Sequence, residues 1–525
     1  MTAIQAQSQG AEERPAQTTL MAWLAIAAGT IGGFMALLDT SIANAALPII
    51  QGEIGATQSE GTWIGTAYLT TEIIVVPLVA WIERMIGMRR FLLISALAFT
   101  FFSVVCGMAS DLTTMIVGRL GQGLSGGMMM PTAYSLVARL LPPGDQSRGV
   151  AIVSGPILIA PIIGPLLGGW LTENYSWHYA FFINVPICAV LITLLLLGVP
   201  RQDGEPGELA NADWFGISGM VIGLGALTVM LEEGHREQWF ASALIWKLAI
   251  AAMIGFLLIA IGQLRPGRPV LDLRLLKDRV IGPATMLLVM MGAAMFCLLF
   301  AVPQFLVIVR GYNAYQAGQV AVAAGVTSFL AMFIYPIVME RVDVRLTVAV
   351  SMVILAMSGY VAVGLTSETP GGSFALQMML MGLGVSMTAI PLQQVAIFSV
   401  GPSMASEISS IITIARNLGG ALGLAGLASF QEQRLEFHHW RLQETVSAND
   451  PAVWERLAGY ANMFGGGEEG WTAAYRMFDA GIMRDALVMT FDDIFFALAV
   501  GTVAVIPFVL IMRPVKPESS QTVMH

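Results

Sequence analysis

The chain has 525 residues, 56% of them hydrophobic and only 12% charged, where a soluble domain carries about 25% charged residues. Its formal charge of −9 identifies no partner, because the acids sit mainly outside the apolar blocks and many fall in one late polar stretch. Cys106, Cys188 and Cys297 lie far apart in separate apolar blocks, which excludes a disulfide framework and a cysteine metal cluster by spacing.

Residues 1–20 are polar, with Glu12 and Glu13, and are expected to form a tail on the cytoplasmic side. The apolar run that begins at Met21 is too long for a cleaved signal peptide and is expected to remain as a first span. Blocks long enough to cross about 30 Å of hydrocarbon as helices then recur, giving fourteen spans at about 21–48, 60–82, 91–109, 113–138, 149–172, 179–199, 214–231, 243–263, 281–309, 317–338, 346–365, 373–394, 404–429 and 487–512. The fold class expected is an all-α integral membrane protein.

Basic residues orient the spans. Loops on the side of the termini hold Arg84, Arg89 and Arg90; Arg139 and Arg148; Arg201; Arg265, Arg268, Arg274, Lys277 and Arg279; and Arg341 and Arg345, with Arg513 and Lys516 in the tail. Short loops on the other side offer Arg236, Lys247 and Arg310. Both termini are therefore expected in the cytoplasm, with residues 513–525 as a second tail.

The loops after the second and tenth spans repeat a pattern, Glu83-Arg84 followed by Arg89-Arg90, and Glu340-Arg341 followed by Arg345. The fifth span is rich in Gly and Pro, and the thirteenth carries Gly419, Gly420, Gly423 and Gly426. The organisation expected is a six-helix half over 21–199, a linker with two extra helices over 200–280, and a second six-helix half over 281–512. Internal repeats of this kind typify secondary transporters, whose sites lie near the midplane between halves. The chain has no G-x-x-x-x-G-K-[ST] loop, so uphill transport is expected to draw on an ion gradient rather than on a bound nucleotide. No cofactor, metal or nucleic acid is expected, and no cluster of carboxylates or histidines near an interface points to an enzyme.

Five ionisable groups fall within the expected spans: Asp39, Glu72, Arg119, Glu407 and Arg416. Each costs at least about 2.5–3.5 kcal/mol at the bilayer centre, so a functional role is the default. Asp39 sits mid-span, and burial favours its protonated form while a nearby cation favours the carboxylate; it is either a proton site or half of a fixed ion pair with Arg119. Glu72 is a second proton site, a contact for a cationic substrate, or a buried acid satisfied by threonine hydroxyls. Arg119 and Arg416 either tune a carboxylate or bond helix-end carbonyls in a Gly-rich contact. Glu407 is expected at a solvated helix end or paired to the loops. Tyr68, Gln393 and Gln394, the last two near Pro391, are expected to line a substrate cavity together with Arg416.

Gly121-x-Gly123-x-x-Gly126 satisfies G-x-G-x-x-G and Asp145 follows about 20 residues on, as a dinucleotide fold would want. It lies inside an apolar helix, where small residues admit a close neighbour instead. The 32 methionines are mostly lipid-facing or core filler, with a minority suited to a pocket for varied ligands.

With these residues in hand, the chain resembles the Emr/Qac-type fourteen-helix drug:proton antiporters of the major facilitator superfamily over nearly its whole length. Asp39 to Pro48 is similar to the family's first-span signature, whose Asp the resemblance implicates in proton coupling. Arg119-Leu120-Gly121-Gln122-Gly123 is similar to the fourth-span motif, whose Arg is linked to proton transfer. Gly155, Pro156, Pro161, Gly164, Pro165, Gly168 and Gly169 resemble the fifth-span antiporter motif, and Trp177 to Pro186 the entry to the sixth span. Prolines that remove backbone donors and glycines that admit close packing suit a helix at an interface that rocks.

Two positions depart from the family pattern. In the gating loop, here Glu83, Arg84, Gly87, Arg89 and Arg90, Arg84 stands where Asp is usual, leaving Glu83 as the substitute acid. His178 stands where Arg is commoner, and a loop histidine of this kind is expected to be inert. The resemblance implies export of amphipathic drugs or toxic small molecules across the bacterial inner membrane in exchange for protons. The alternative is a dedicated exporter of one endogenous fatty acid, siderophore or pigment; a non-transporting receptor or scaffold would need signalling domains. The outer segment 430–486 is expected to form one or two amphipathic helices on the periplasmic surface. There it would dock a periplasmic adaptor that leads to an outer-membrane channel. His438-His439 within it could form a metal site only against geometry, since adjacent residues do not share a helix face.

Overall fold

The computed structural model describes residues 19–513, except 206, 208–211, 266–268, 401 and 447–449. The expected tail through residue 18, Arg268, Lys516 and the tail beyond Arg513 lie outside the described residues. The described residues form helices and connecting turns. Thirteen helices are long and apolar enough to cross a membrane: α1 Leu20–Glu53, α2 Glu60–Ile86, α3 Met88–Gly107, α5 Pro143–Asn174, α6 Tyr179–Gly198, α7 Trp214–Glu233, α8 Ala243–Leu264, α9 Ile281–Ile308, α10 Tyr315–Met339, α11 Val344–Val361, α12 Gly371–Phe398, α13 Ala405–Thr445 and α15 Gly467–Ile511. Between α3 and α5 runs α4, Leu112–Leu140. At 29 residues α4 is long enough to span, but Gly, Ser, Arg119 and Gln122 dilute its apolar content; thirteen and α4 make the fourteen expected. A short helix, α14 (Pro451–Met463), links α13 to α15.

Helix starts carry the side chains that satisfy orphan amides. Thr57 and Glu60 form a reciprocal box before α2, Asn313 and Gln316 another before α10, and Asp111, Asp213 and Asp343 cap α4, α7 and α11. Helix α5 runs unbroken through Pro156, Pro161 and Pro165, as the need to satisfy the backbone internally in lipid demands.

The packing repeats. In the first half α1 lies on α5, α2 and α3 on α4, and α3 on α6; in the second α9 lies on α13, α10 and α11 on α12, and α11 on α15. The halves meet where α5 packs on α10 and α12, and where α4 and the end of α2 pack on α13. The resulting architecture is two six-helix halves with an added pair, which is the major facilitator fold.

The extra helices are central in sequence, and in space α7 packs on α2 while the main partner of α8 is α7. One expectation changes. The segment 430–486 does not lie on the surface as separate amphipathic helices. Helix α13 continues its span to Thr445 and α15 begins at Gly467, so both spans project as one long hairpin with α14 at its tip. An ion pair and a hydrogen bond tie the two arms, with Arg434 2.5 Å and His438 2.7 Å from the same Asp493 oxygen. His439 instead contacts Asp479 at 3.2 Å, so the two histidines part company, and no group of metal-binding side chains occurs among the described residues.

The α7–α8 contact is built on small residues, a pattern whose sequence signal was Gly219-x-x-x-Gly223. A Cβ on Gly255 would lie 2.2 Å from the Gly223 amide nitrogen, so the backbones touch directly. Overpacking such a contact costs about 1–3 kcal/mol. Gly255→Leu is therefore expected to lower the melting temperature in detergent by several degrees, read by loss of monodisperse elution after heating. Gly501→Ala, whose added carbon meets nothing within 4 Å, is the silent comparison.

Candidate functional site

Asp39 and Arg119 meet. Both side chains are fully buried, and Arg119 Nη1 lies 2.6 Å from Asp39 Oδ2. The other carboxylate oxygen accepts from the amide of Asn184 at 2.6 Å and that of Gln122 at 2.9 Å. Ser103 Oγ accepts from the same two amides, at 3.2 and 2.8 Å. Arg119 also donates from Nε to the Ile64 carbonyl at 3.1 Å, and its guanidinium carbon sits 4.4 Å from the centre of the Tyr68 ring. Tyr68 is buried and donates to the Ala36 carbonyl. Every partner of the Asp39 carboxylate among the described residues is an N–H donor, the complement of an ionised acid, so a proton taken up by the carboxylate weakens its hold on these donors.

The approach of α2 to α4 that makes this possible depends on Gly123. A Cβ there would stand 2.3 Å from the Tyr68 carbonyl oxygen. The three glycines of the G-x-G-x-x-G string thus serve helix packing, with no strand or phosphate-binding turn beside them.

Glu72 does not join the Asp39 cluster. It lies on the face of α2 toward the second half, where the Asn417 amide of α13 donates to it at 2.9 Å. Asn417 in turn accepts from Arg416 Nη2 at 3.3 Å. The other contact of that Nη2 is the sulfur of Met130 on α4, at 3.2 Å, and Arg416 Nε is buried without a hydrogen-bond partner. Arg416 is 2% exposed.

Toward the end that carries Glu83 a second set of charges closes the seam between halves. Glu83 of α2 pairs with Arg139 of α4 at 2.6 Å and accepts from the Ser406 hydroxyl of α13 at 2.6 Å. Ser406 lies 2.7 Å from Ser135 of α4. Arg84 pairs with Glu407 of α13 at 2.9 Å. Glu407 is therefore not a solvated end, being buried in the first turn of α13, where the helix dipole also favours an acid. Where the family pattern has an acid, this chain has the base Arg84, and the opposing position on α13 supplies the acid. Gly87 has φ +84° and lies under the Gln202 carbonyl, which a Cβ would approach to 2.3 Å. Arg89 donates to the Leu196 and Val199 carbonyls at the end of α6, and Arg90 pairs with Asp203, so these two hold the loop rather than the seam.

Between the clusters lies a polar band. Ser154 of α5 donates to Gln393 of α12 at 3.1 Å, Gln394 donates to Ser147 at 2.7 Å, and Tyr335 of α10 donates to Gln394. The glycines of α5 seat it on its neighbours: Gly164 against Ser41 and Gly168 against Ala45 of α1, and Gly155 against Met332 of α10. His178 stacks on Trp177 and bonds to Ser176, and the buried Trp177 indole donates to Glu53.

The model of the Major Facilitator Superfamily matches residues 29–424. The chain belongs to the major facilitator superfamily. This facilitator is 30% identical to multidrug export protein EmrB of Escherichia coli K12 over 494 residues, 93% of this chain and 94% of the relative. It is 28% identical to the fatty acid resistance protein FarB of Neisseria gonorrhoeae, over 95% and 97%, and 28% to the colistin resistance protein EmrB of Acinetobacter baumannii, over 93% and 94%. The crystal structure of the human organic anion transporter MFSD10 shares its fold, with a TM-score of 0.57 at 14% identity over 93% of this chain and 99% of that one.

The sequence left several partners in this facilitator unnamed. Gln122 and Asn184 stand inside the fourth- and sixth-span motifs, and their amide character in apolar runs was the available signal. Asn417 follows Arg416 directly. Ser135 and Ser406 had none, since a lone serine in a membrane helix usually bonds its own backbone.

The charge-exchanged latch makes a testable pair. Glu407→Arg sets two guanidinium groups against each other and is expected to lower transport at least about tenfold, since a misplaced buried charge costs about 2–5 kcal/mol. Arg84→Glu combined with Glu407→Arg is expected to recover most of that loss. Equal loss in the single and double variants, measured as transport per unit of protein in the membrane, would remove the pair from the latch.

Proposed function

We propose that this facilitator exports amphipathic drugs or other toxic small molecules across the bacterial inner membrane, exchanging them for protons at Asp39. The observation that carries the proposal is the fully buried Asp39 carboxylate held by three N–H donors from α4 and α6. Two further lines support export: the relatives, which are multidrug export and resistance proteins, and the Gly- and Pro-rich α5 at the seam.

The geometry supports the following cycle. In the arrangement described the end bearing Glu83 and Arg84 is locked to α13. That end faces the cytoplasm in the orientation supported by the excess of arginine in its loops. A proton arriving from the periplasm converts Asp39 from an acceptor of three bonds to a group that must itself donate. Arg119 or an amide then withdraws, and α4 is released from its hold on α1. Return of the proton to the cytoplasm restores the donors. Glu72, bound across the seam, is a second proton site or contacts the substrate; Arg416 and the band that holds Gln393 and Gln394 border the substrate path, with Tyr68 beside Arg119 at its inner edge.

The projecting hairpin of α13, α14 and α15 would stand in the periplasm, in position for an adaptor protein that continues to an outer-membrane channel. A dedicated exporter of one endogenous molecule is the second reading, supported by the likeness to a fatty acid resistance protein.

The deciding experiment is dye efflux from energised cells carrying the native chain or Asp39→Asn, with and without a protonophore. Asn keeps the shape but leaves Arg119 without its carboxylate, a loss of about 3–5 kcal/mol for a buried pair. Efflux is expected to fall at least about tenfold in the variant and to collapse in the native chain when the gradient is removed. Efflux that persists in Asp39→Asn at equal membrane levels moves the coupling site elsewhere, with Glu72 next.

A further inference from the structure

Two arginines are fully enclosed in the core, and their surroundings differ. Arg119 has a carboxylate at 2.6 Å, a carbonyl at 3.1 Å and the Gln122 side-chain oxygen at 3.1 Å, and although its Nη2 is unpartnered its charge is paired. Arg416 has a thioether sulfur at 3.2 Å, one amide oxygen at 3.3 Å and an unpartnered Nε. A guanidinium offers five N–H donors and is always charged. Removing it from water without a paired anion is expensive, and buried charges in proteins are as a rule paired. Arg416 makes no direct bond to a carboxylate. The carboxylate nearest along its bonds, Glu72, is one side chain removed and bound to the far side of Asn417.

We propose that Arg416 is the recognition site for the acidic headgroup of an amphipathic anion, a carboxylate or comparable oxyanion on an apolar body, and that Asn417 holds the site against Glu72 when it is empty. The inference rests on the exporter reading and names the substrate class for it. Arg416 lies on α13 at the seam, beside Met130 of α4, so a headgroup bound there sits where both halves can grip it. The apolar body would lie among the flexible methionine and aliphatic side chains of the seam, which adapt to varied shapes. The incoming oxyanion replaces the weak sulfur contact and takes up the vacant Nε.

Glu72 is then a competitor. Its negative charge compensates Arg416 at one remove through Asn417 and repels an incoming anion. The other charged or titratable groups around Glu72 are Tyr68 on its own helix, Arg119 on α4 and Arg416 on α13. Among these, Arg119 is already committed to Asp39, which leaves Arg416 as the cation free to choose.

The test uses the full chain in lipid nanodiscs at pH 8, with no gradient, and two fluorescent probes: 11-(dansylamino)undecanoic acid and its methyl ester. The native chain is expected to bind the acid more tightly than the ester. Arg416→Gln is expected to weaken the acid at least about tenfold, as losing a buried charge partner requires, while changing ester binding little. Arg416→Lys keeps the charge without the planar fork and is expected to restore part of the preference. Glu72→Gln, which keeps an acceptor for Asn417 and removes the charge, is expected to tighten the acid several-fold. Equal binding of acid and ester by the native chain, an equal loss of both in Arg416→Gln, or unchanged or weaker acid binding in Glu72→Gln would each overturn the proposal and leave Arg416 as a packing group. The two readings separate: acid preference without dye efflux in cells sinks proton-driven export alone, and efflux without acid preference sinks the anion site alone.

Discussion

An ionised group in hydrocarbon must find its counter-charge and its hydrogen bonds inside the protein, and this constraint organises the core. The Asp39–Arg119 pair is the clearest case. Neither side chain reaches solvent, and the carboxylate is supplied with donors by Arg119 and Gln122 of α4 and Asn184 of α6. Those bonds fix how α1, α4 and α6 stand to one another. A pair of this kind contributes little net stability, because desolvation offsets its attraction. Its consequence is specificity: the three helices have one register in which the carboxylate receives all three of its donors.

Close approach is the second requirement, and glycine meets it. Gly123 lets α4 reach the Tyr68 backbone, and Gly164 and Gly168 set α5 on α1. Without such contacts Arg119 could not reach both Asp39 and the Ile64 carbonyl. The small residues and the buried charges are therefore one device. The glycines bring backbones within reach, and the charges decide which side chains meet.

Much of this was legible in the sequence because the bilayer makes it so. Span lengths follow from hydrocarbon thickness, and the apolar blocks marked fourteen long helices. Rare charges in those blocks, Asp39, Glu72, Arg119, Glu407 and Arg416, proved to be buried groups at or near the seam. What escaped was spatial. Glu407 stayed open between a solvated helix end and a pair with the loops, because sequence position cannot show that Arg84 lies opposite. The extent of α13 and α15 escaped because the hydropathy signal stops at the membrane surface while the helical hydrogen bonds do not. The place of α7 and α8 against α2 escaped because chain order does not carry lateral position. Serines 103, 135 and 406 are indistinguishable by composition from serines that bond their own helix.

The three charge clusters have a common member. Helix α4 holds Asp39 through Arg119 and Gln122, touches Arg416 through Met130, and meets the latch through Ser135 and Arg139. The bonds to Asp39 all arise within the first half, so rocking of the halves does not by itself break them. The bonds at Arg416 and Ser406 cross the seam, so rocking must break those. A protonation event confined to one half can therefore reach the seam only by moving an element that belongs to both environments, and α4 is the helix that does. Two of the donors that a proton on Asp39 would displace, Arg119 and Gln122, lie on α4, along the same helix as the side chains that bind α13. Proton binding and closure of the seam thus act on one continuous helix from different points along its length, which is the mechanical condition for coupling them.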